Sequence, residues 1–213
     1  MNKAKILNTA QVISDYCDYM GFPEKSLYLH RHLKSRFALS ENIDKQVGNF
    51  IIKDFAKTNK TLLEESYIHK ETFGKNVKTK DIEMQMLLHD VSIFSEIEGK
   101  HKAKVAIPKI GRMQADLHHV HNNKYRIEHW VGLNQNGMNT VIPMPRRYVA
   151  EFVLHHIVLG SLEEKISLVN DNIPMHQKTV KALSEILNSY HPQYCSVGFC
   201  PIQLRYKLYF NEV

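Results

Sequence analysis

The sequence is short of cysteine, glycine and proline and has no long apolar run, and each shortage excludes a class of protein. Among 213 residues there are 3 Cys, 9 Gly and 7 Pro. Three cysteines are too few for a disulfide framework, and so little glycine and proline excludes collagen and low-complexity linkers. The most apolar segment, Tyr148–Leu159, carries Glu151 and two histidines and is shorter than the ~20 residues of a membrane span. We therefore expect a protein of a reducing compartment, the cytoplasm, with no membrane partner.

The motifs that usually identify a reaction are also missing. The sequence has no glycine-rich phosphate loop, no Gly-x-Ser-x-Gly turn around a nucleophile and no dinucleotide-binding fingerprint. Its apolar fraction of 43%, with 23% charged residues, is typical of a chain that folds around a core and excludes wholesale disorder. The sequence motifs do not determine whether the protein is an enzyme.

Hydrophobic periodicity predicts helices first and strands afterwards. Apolar residues recur at four-residue steps in the first half, as at Ile43, Val47 and Ile51, and predict three to four helices. After Gly99 the period becomes two, which predicts strands, one pair of them turning at Asn122–Asn123. We predict an α+β fold in which a helical N-terminal region, 1–98, precedes an antiparallel sheet of four to five strands, 99–213, with helices packed on one face. The two regions are either separate domains or one continuous domain.

Positive charge is concentrated in one stretch of the chain. Lys and Arg number 28 against 22 Asp and Glu, which gives a net charge of +6. Residues 99–127 contain a single carboxylate, Asp116, and an excess as large as that of the whole chain. The cations of this stretch are Lys100, Lys102, Lys104, Lys109, Arg112, Lys124 and Arg126. A surface of this kind favours polyanionic partners.

In the predicted sheet the cations share one face. With a turn at Asn122–Asn123, strand alternation places four basic side chains together: His119, His121, Lys124 and Arg126. The same alternation occurs at Lys100, Lys102 and Lys104 on the neighbouring strand and at Arg205 and Lys207 on the last one. Such a face would contact the phosphates of DNA or RNA, and the alternative is an outer sheet face that is merely solvated.

A second basic cluster lies on the helix predicted after Pro23. It contains Arg31, Lys34 and Arg36, and the short turn before this helix includes Gly21. Two helices joined by a short turn with glycine are compatible with a helix-turn-helix, whose second helix reads a DNA groove. The alternative is a solvated helix face.

Histidine is abundant, with 13 residues, and indicates a metal site as an alternative function. On a strand, His119 and His121 would share a face, and Glu128 would join them from across the hairpin. On the opposite face Asp116 would pair with His129, which could bind metal or form an ion pair. We therefore take Asp116, Glu128 and His129 as candidate catalytic residues, His119, His121 and Glu128 as candidate metal ligands, and a divalent metal as the only cofactor indicated.

Two short patterns resemble nuclease and phosphohydrolase families. Asp116, followed by Glu128 two residues before Trp130, resembles the Asp…Glu-x-Lys pattern of the PD-(D/E)xK nucleases, with Trp130 in the place of the lysine. This resemblance implies a strand hairpin whose carboxylates hold Mg²⁺ for phosphodiester cleavage.

His89–Asp90 resembles the metal-binding pair of HD-type phosphohydrolases. The pair lies in a helix predicted from about Thr79 to Ile97. The resemblance implies that both residues bind metal from a buried helix together with an upstream histidine and a downstream aspartate. His69 and Asp116 are the candidates for those two positions.

The sequence alone therefore favours a nucleic-acid-binding protein that contacts phosphates through a basic sheet face. The first alternative is a metal-dependent phosphoesterase or nuclease built on a His/Asp/Glu cluster. The second is a structural or protein-interaction module whose cations bind acidic partners.

Overall fold

A computed structural model describes residues 6–133, 135–136, 139–190, 195–200 and 205–210. Its helices are α1 (Thr9–Met20), α2 (Ser26–Phe37), α3 (Lys45–Phe50), α4 (Ala56–Ile68), α5 (Lys70–Phe73), α6 (Thr79–Leu87), α7 (Glu96–Lys102), α8 (Lys109–Asn122), α9 (Arg146–Val158), α10 (Leu162–Asn172) and α11 (Gln177–Tyr190). A π-helical segment, Ile51–Phe55, joins α3 to α4, and short 3₁₀ helices lie at Pro23–Lys25, Val91–Phe94 and Ile127–Trp130. The strands are β1 (Ile6–Asn8), β2 (Asn42–Asp44), β3 (Val131–Leu133), β4 (Asn139–Val141), β5 (Cys195–Cys200) and β6 (Arg205–Phe210).

The predicted α+β fold with a sheet of four to five strands is wrong, because the protein is mostly helical. Within the described residues, strands form only three separate antiparallel pairs, β1–β2, β3–β4 and β5–β6. The first region is helical, but its described residues contain six complete α-helices, α1 to α6, in place of the predicted three to four. None of the helices in the described part of the chain is both long and apolar enough to cross a membrane.

Residues 96–102 form α7, and the strand predicted from the alternation of Lys100, Lys102 and Lys104 is therefore wrong. Carboxylates lie in the first turn of this helix and cations in the last, an arrangement that the helix dipole favours. Glu96 and Lys100, four residues apart, form an ion pair along the helix surface. Lys104 follows the helix in a left-handed conformation, with φ +57°. The three lysines therefore do not share a sheet face.

The predicted hairpin at Asn122–Asn123 is also wrong, because both asparagines end α8. The side-chain amide of Asn122 donates to the carbonyl of His118 (2.9 Å), and that of Asn123 donates to the carbonyl of His119 (2.8 Å). These side-chain bonds add to the backbone bonds at the end of α8, where the N–H of Asn123 also donates to the carbonyl of His119 (3.1 Å). His119 and His121 therefore lie on a helix, where residues two apart point in different directions.

The chain divides into two compact units, each assembled from two segments. Unit 1 contains Met1–Glu64 and Lys80–Asn123, and unit 2 contains Glu65–Thr79 and Lys124–Val213. Helix α7 runs through Gly99, the residue at which the sequence changes its period. The division into regions 1–98 and 99–213, as separate domains or as one continuous domain, stays a prediction.

The core of unit 1 is centred on Tyr16 of α1, which is fully buried. Its ring stacks on Phe55 at 5.5 Å between centroids and meets the edge of Phe94 at 5.8 Å. Such aromatic pairs add roughly 0.5–1.5 kcal/mol to the gain from burial. They link α1 to the π-helical segment and to the 3₁₀ helix Val91–Phe94.

The core of unit 2 is formed by α9 packed against α5 and α11, with α11 also covering β5 and β6. Phe152 and Leu183 are buried within these helices. The side chain of Asn170 on α10 forms two hydrogen bonds with the backbone of β6. Its amide nitrogen donates to the carbonyl of Leu208 (2.8 Å), and its oxygen accepts from the Leu208 N–H (3.0 Å). The predicted C-terminal strand is therefore present over Arg205–Phe210.

Candidate functional site

The backbone around His89 is held by a buried hydrogen-bond network from α1 and α4. The Tyr16 hydroxyl donates to the carbonyl of Leu87 (3.1 Å). The amide of Asn59 donates both to the Tyr16 hydroxyl (2.9 Å) and to the carbonyl of His89 (3.0 Å). Burial raises the pKa of Tyr16 well above its usual value, which keeps the hydroxyl a donor. The two carbonyls on either side of Leu88 are therefore fixed in position.

Asp90 adopts a left-handed backbone conformation, with φ +52° and ψ +21°. Helix α6 ends at Leu87, so the helix predicted from Thr79 to Ile97 is interrupted here, and the 3₁₀ helix Val91–Phe94 begins after Asp90. Aspartate tolerates this conformation better than most residues, but it is still uncommon outside glycine. Such conformations occur often at functional sites, where surrounding structure enforces them.

The carboxylate of Asp90 lies between two histidine rings. Its Oδ2 is 3.7 Å from Nε2 of His89, and its Oδ1 is 3.7 Å from Nε2 of His119. The two histidine side chains are 1% and 8% exposed, and that of Asp90 is 15% exposed. The three side chains therefore lie close together in a largely buried part of unit 1. Asp90 is the most solvent-exposed of the three.

Glu98 holds two neighbouring histidines of α8 from the facing helix α7. Its Oε1 is 2.8 Å from Nδ1 of His119, and its Oε2 is 3.1 Å from Nδ1 of His118. Glu98 is 1% exposed, whereas His118 is 27% exposed. A line of ionisable groups thus runs from solvent at His118 through Glu98 and His119 to Asp90.

The hydrogen bonds determine how the His119 ring faces Asp90. When Nδ1–H donates to the Glu98 carboxylate, Nε2 of the neutral ring presents a lone pair. The nitrogen Nε2 lies 3.7 Å from Oδ1 of Asp90, which is longer than a hydrogen bond.

Asn123 fixes the end of α8 against the turn that carries Asp90. Its side-chain nitrogen donates to the hydroxyl of Ser92 (2.8 Å), and Asn123 is 4% exposed. Because the same nitrogen also donates to the carbonyl of His119, the position of α8 is tied to the 3₁₀ helix Val91–Phe94.

The structure does not bring together the metal ligands that the sequence predicted. His119 joins the cluster, but His121 is exposed on the last turn of α8. Glu128 belongs to unit 2, where it pairs with Arg126 (3.0 Å) and Lys165 (3.3 Å). Burial raises the pKa of Glu128, but the charges of Arg126 and Lys165 outweigh it, so the pKa lies below its usual value. Glu128 is therefore an ion-paired structural carboxylate.

The remaining predicted catalytic residues are also scattered. Asp116 is exposed on α8 and pairs with His101 at 3.3 Å. His129 contacts the ring of Trp130 at 5.2 Å in unit 2. The strand hairpin implied by the nuclease resemblance is absent, since Asp116 lies on a helix and Glu128 on a 3₁₀ helix.

Of the groups implied by the HD resemblance, only His89 and Asp90 belong to the cluster. His69 pairs with Glu65 (3.7 Å) and packs against Tyr190 in unit 2. The cluster instead contains Glu98, His118 and His119. Glu98 carries no signal in the sequence, because its neighbours Glu96 and Lys100 make it look like part of a solvated charged helix.

The cations predicted to form one face are distributed over several elements. Lys100 pairs with Glu96, Arg126 with Glu128, and Lys207 with Asp171 (2.8 Å). The Arg205 side chain lies outside the described residues. The remaining cations that the sequence singled out are exposed. They are Arg31, Lys34 and Arg36 on α2, Lys102 on α7, Lys104 between α7 and α8, Lys109 and Arg112 on α8, and Lys124 after α8.

Comparisons with family models, with curated proteins and with solved structures found no match for this chain.

Proposed function

We propose that the protein is a metal-dependent phosphoesterase whose divalent ion is bound by His89, Asp90 and His119. The observation that carries this proposal is the position of the Asp90 carboxylate, 3.7 Å from a ring nitrogen of each histidine. Ligands that bind one ion at about 2.0–2.2 Å lie roughly 3.0–3.5 Å apart. The two histidines approach different oxygens of Asp90, so the three side chains would have to move closer together around an ion.

The surroundings of His119 support this proposal. A histidine that binds metal through one nitrogen usually donates from the other to a carboxylate, which orients the ring. Glu98 is in that position, 2.8 Å from Nδ1 of His119. Imidazole and carboxylate ligands together suit Zn²⁺, Mn²⁺ or Fe²⁺ better than Ca²⁺.

The proposed reaction is hydrolysis of a phosphoester by water to an alcohol and phosphate. A divalent ion held by His89, Asp90 and His119 would supply Lewis-acid chemistry and would lower the pKa of bound water. His118, on the other oxygen of Glu98 and partly exposed, provides a route by which the proton reaches solvent.

Metal loading with matched aspartate variants tests the proposal. Purified protein is loaded with Zn²⁺ or Mn²⁺, desalted and assayed for metal and for EDTA-sensitive hydrolysis of p-nitrophenyl phosphate and its diester. We expect about one ion per chain in the parent and a loss of at least tenfold in affinity in Asp90→Asn. Asparagine tolerates left-handed backbone, so this variant retains the local fold.

Asp116→Asn is the control, because Asp116 lies in the same unit and also faces a histidine but is 68% exposed. It should bind metal as the parent does. If the parent binds no metal, or if both variants bind it equally weakly, the proposal is contradicted and the cluster is structural.

A second candidate function is nucleic-acid binding through the exposed cations of unit 1. Its support is that Lys102, Lys104 and Arg112 are exposed and, among the described residues, have no carboxylate within 4.0 Å. Lysines and arginines without carboxylate partners are available to neutralise phosphates and release counterions. This function would use helical and loop positions in place of the predicted sheet face.

Filter binding at several salt concentrations tests this second candidate. The triple variant Lys102→Ala/Lys104→Ala/Arg112→Ala should bind DNA or RNA more weakly and with a shallower salt dependence than the parent. Lys207→Ala serves as a control, because Lys207 is already paired with Asp171. Equal affinity and salt slope in parent and triple variant would exclude this surface.

We propose the cytoplasm as the compartment, since Cys17 and Cys195 are buried free thiols. Burial raises the pKa of the Cys17 thiol to about 12, so this cysteine is chemically inert as well as reduced. Cell fractionation with detection of the protein checks this placement, and recovery from an oxidising compartment would contradict it.

A further inference from the structure

The end of α2 lies against the end of α8, beside the histidine cluster of unit 1. The guanidinium of Arg36 donates through Nη2 to the side-chain oxygen of Asn122 (3.2 Å) and to its carbonyl (3.4 Å). Asn122 in turn donates to the carbonyl of His118. The ring of Phe37 packs on the ring of His118 at 5.5 Å. Arg36 is therefore only one residue removed from the histidine that shares Glu98 with His119.

Arg36 is held in place without a carboxylate. Besides Asn122, its neighbours are the ring of Phe37, 5.1 Å below the guanidinium carbon, and Nε2 of His32 at 3.4 Å. Within the described residues, no acidic oxygen lies within 4.0 Å of this exposed arginine. Contacts with an amide, an aromatic ring and an imidazole orient the guanidinium but leave its full charge uncompensated.

The local potential at Arg36 is positive. Burial lowers the pKa of His32, and the charge of Arg36 lowers it further. Lys34 is exposed on the same turn of α2, and His121 is exposed on the last turn of α8. A planar guanidinium that is pre-oriented among cations and has no acid partner suits bidentate binding of a phosphate group.

We propose that Arg36 forms an anion subsite that holds a phosphate group of the substrate beside the His89–Asp90–His119 cluster. This inference rests on the proposed phosphoesterase function. The phosphate that Arg36 holds is either the one that is cleaved or a second phosphate of the same substrate. In either case, Arg36 binds an oxyanion in the metal-free protein as well, which separates this inference from the metal site.

The experiment is a titration of metal-free protein, kept in EDTA, with inorganic phosphate at constant ionic strength. Binding is followed by NMR through the side-chain N–H of Arg36 and the rings of His32 and His118. We expect saturable shifts at these groups and an upward shift of the His32 pKa when phosphate is bound. In Arg36→Gln the dissociation constant should rise about tenfold.

The matched control is Arg31→Gln, which removes one exposed cation from the same helix. It should leave the phosphate affinity within about twofold of the parent. Equal weakening in both variants would mean a diffuse basic surface and would overturn the inference, as would the absence of saturable phosphate binding. Arg36→Lys is the second variant, for the case in which Arg36→Gln does not fold. It keeps the positive charge but not the planar guanidinium, and it should weaken phosphate binding by roughly threefold.

The two proposals fail in different ways. Loss of the metal site leaves the phosphate titration in EDTA unchanged, so the anion subsite can be confirmed without the ion. If metal binds but phosphate does not, the phosphoesterase proposal stands and its substrate is held by other groups.

Discussion

At the scale of single residues, Glu98 decides how the cluster is arranged. One carboxylate, 1% exposed, is hydrogen-bonded to two histidines through its two oxygens. Burying a carboxylate lowers the stability of the folded state unless the group is paired and hydrogen-bonded. The two histidines therefore stabilise Glu98, and Glu98 in turn orients their rings. The orientation of His118 and His119 therefore depends on Glu98.

We expect Glu98→Gln to weaken metal binding about 10- to 100-fold without removing a ligand. An amide is a weaker acceptor than a carboxylate and its nitrogen cannot accept from Nδ1–H, so the His119 ring loses its fixed orientation. Isothermal titration with Zn²⁺ measures the effect. Glu96→Gln is the control, because Glu96 lies on the same helix but is 73% exposed, and its affinity should equal that of the parent.

At the scale of elements, the site depends on the close approach of α7 to the turn before it. A Cβ atom on Gly99 would lie 2.6 Å from the carbonyl oxygen of Ile93 and 2.7 Å from a methyl group of Val47. Only glycine allows this distance, and Glu98 is the adjacent residue. The position of the carboxylate thus follows from backbone contact between α7 and the 3₁₀ helix Val91–Phe94.

Gly99→Ala should destabilise the protein by about 1–3 kcal/mol, because the backbone of Ile93 has to move. Gly111→Ala is the matched comparison within α8, where a Cβ would meet its nearest neighbours at 3.7 Å, an ordinary contact. There alanine should stabilise the helix by up to about 1 kcal/mol. Urea unfolding of both variants measures the difference, and equal stabilities would contradict the packing argument.

Gly99→Ala should also weaken metal binding, since a shift of α7 displaces Glu98 from His119. Gly111→Ala should leave the affinity unchanged. A Gly99→Ala protein that folds and binds metal normally would show that the close approach of α7 does not position the site.

At the scale of the whole molecule, stability depends on pH through paired carboxylates such as Glu128 in unit 2. Its folded-state pKa is below the ordinary value of 4.5, so its ion pairs contribute fully above that value. The contribution declines as the pH falls through the lowered pKa, where the carboxylate gains a proton in both states. Acid unfolding of unit 2 should therefore involve loss of the Arg126–Glu128–Lys165 network.

Glu128→Gln should lower the free energy of unfolding by about 2 kcal/mol at pH 7, since it leaves Arg126 and Lys165 facing an uncharged amide. The difference from the parent should shrink as the pH is lowered below about 4.5. Thermal unfolding at several pH values measures this. Glu164→Gln, an exposed residue on α10, should show no such dependence, and a constant difference for Glu128→Gln would exclude the ion pairs as its cause.

The local patterns in the sequence determined part of this protein. The four-residue spacing in the first half predicted its helices, Asn8 caps α1 by accepting from the N–H of Gln11 (3.1 Å), and the last alternating run forms β6. The pair His89–Asp90 was singled out by its resemblance, and both residues belong to the cluster.

Only the tertiary structure decided the rest, because short patterns fit more than one backbone. Lysines at every second position occur on an exposed helix as readily as on a strand, and Asn122–Asn123 can end a helix or turn a hairpin. Partners distant in sequence are chosen by packing: Gly99 brings α7 against Ile93, and Glu98 thereby meets His119, twenty-one positions further along the chain. The periodicity of the sequence does not predict the contact between Glu98 and His119, because that contact depends on which helices pack side by side.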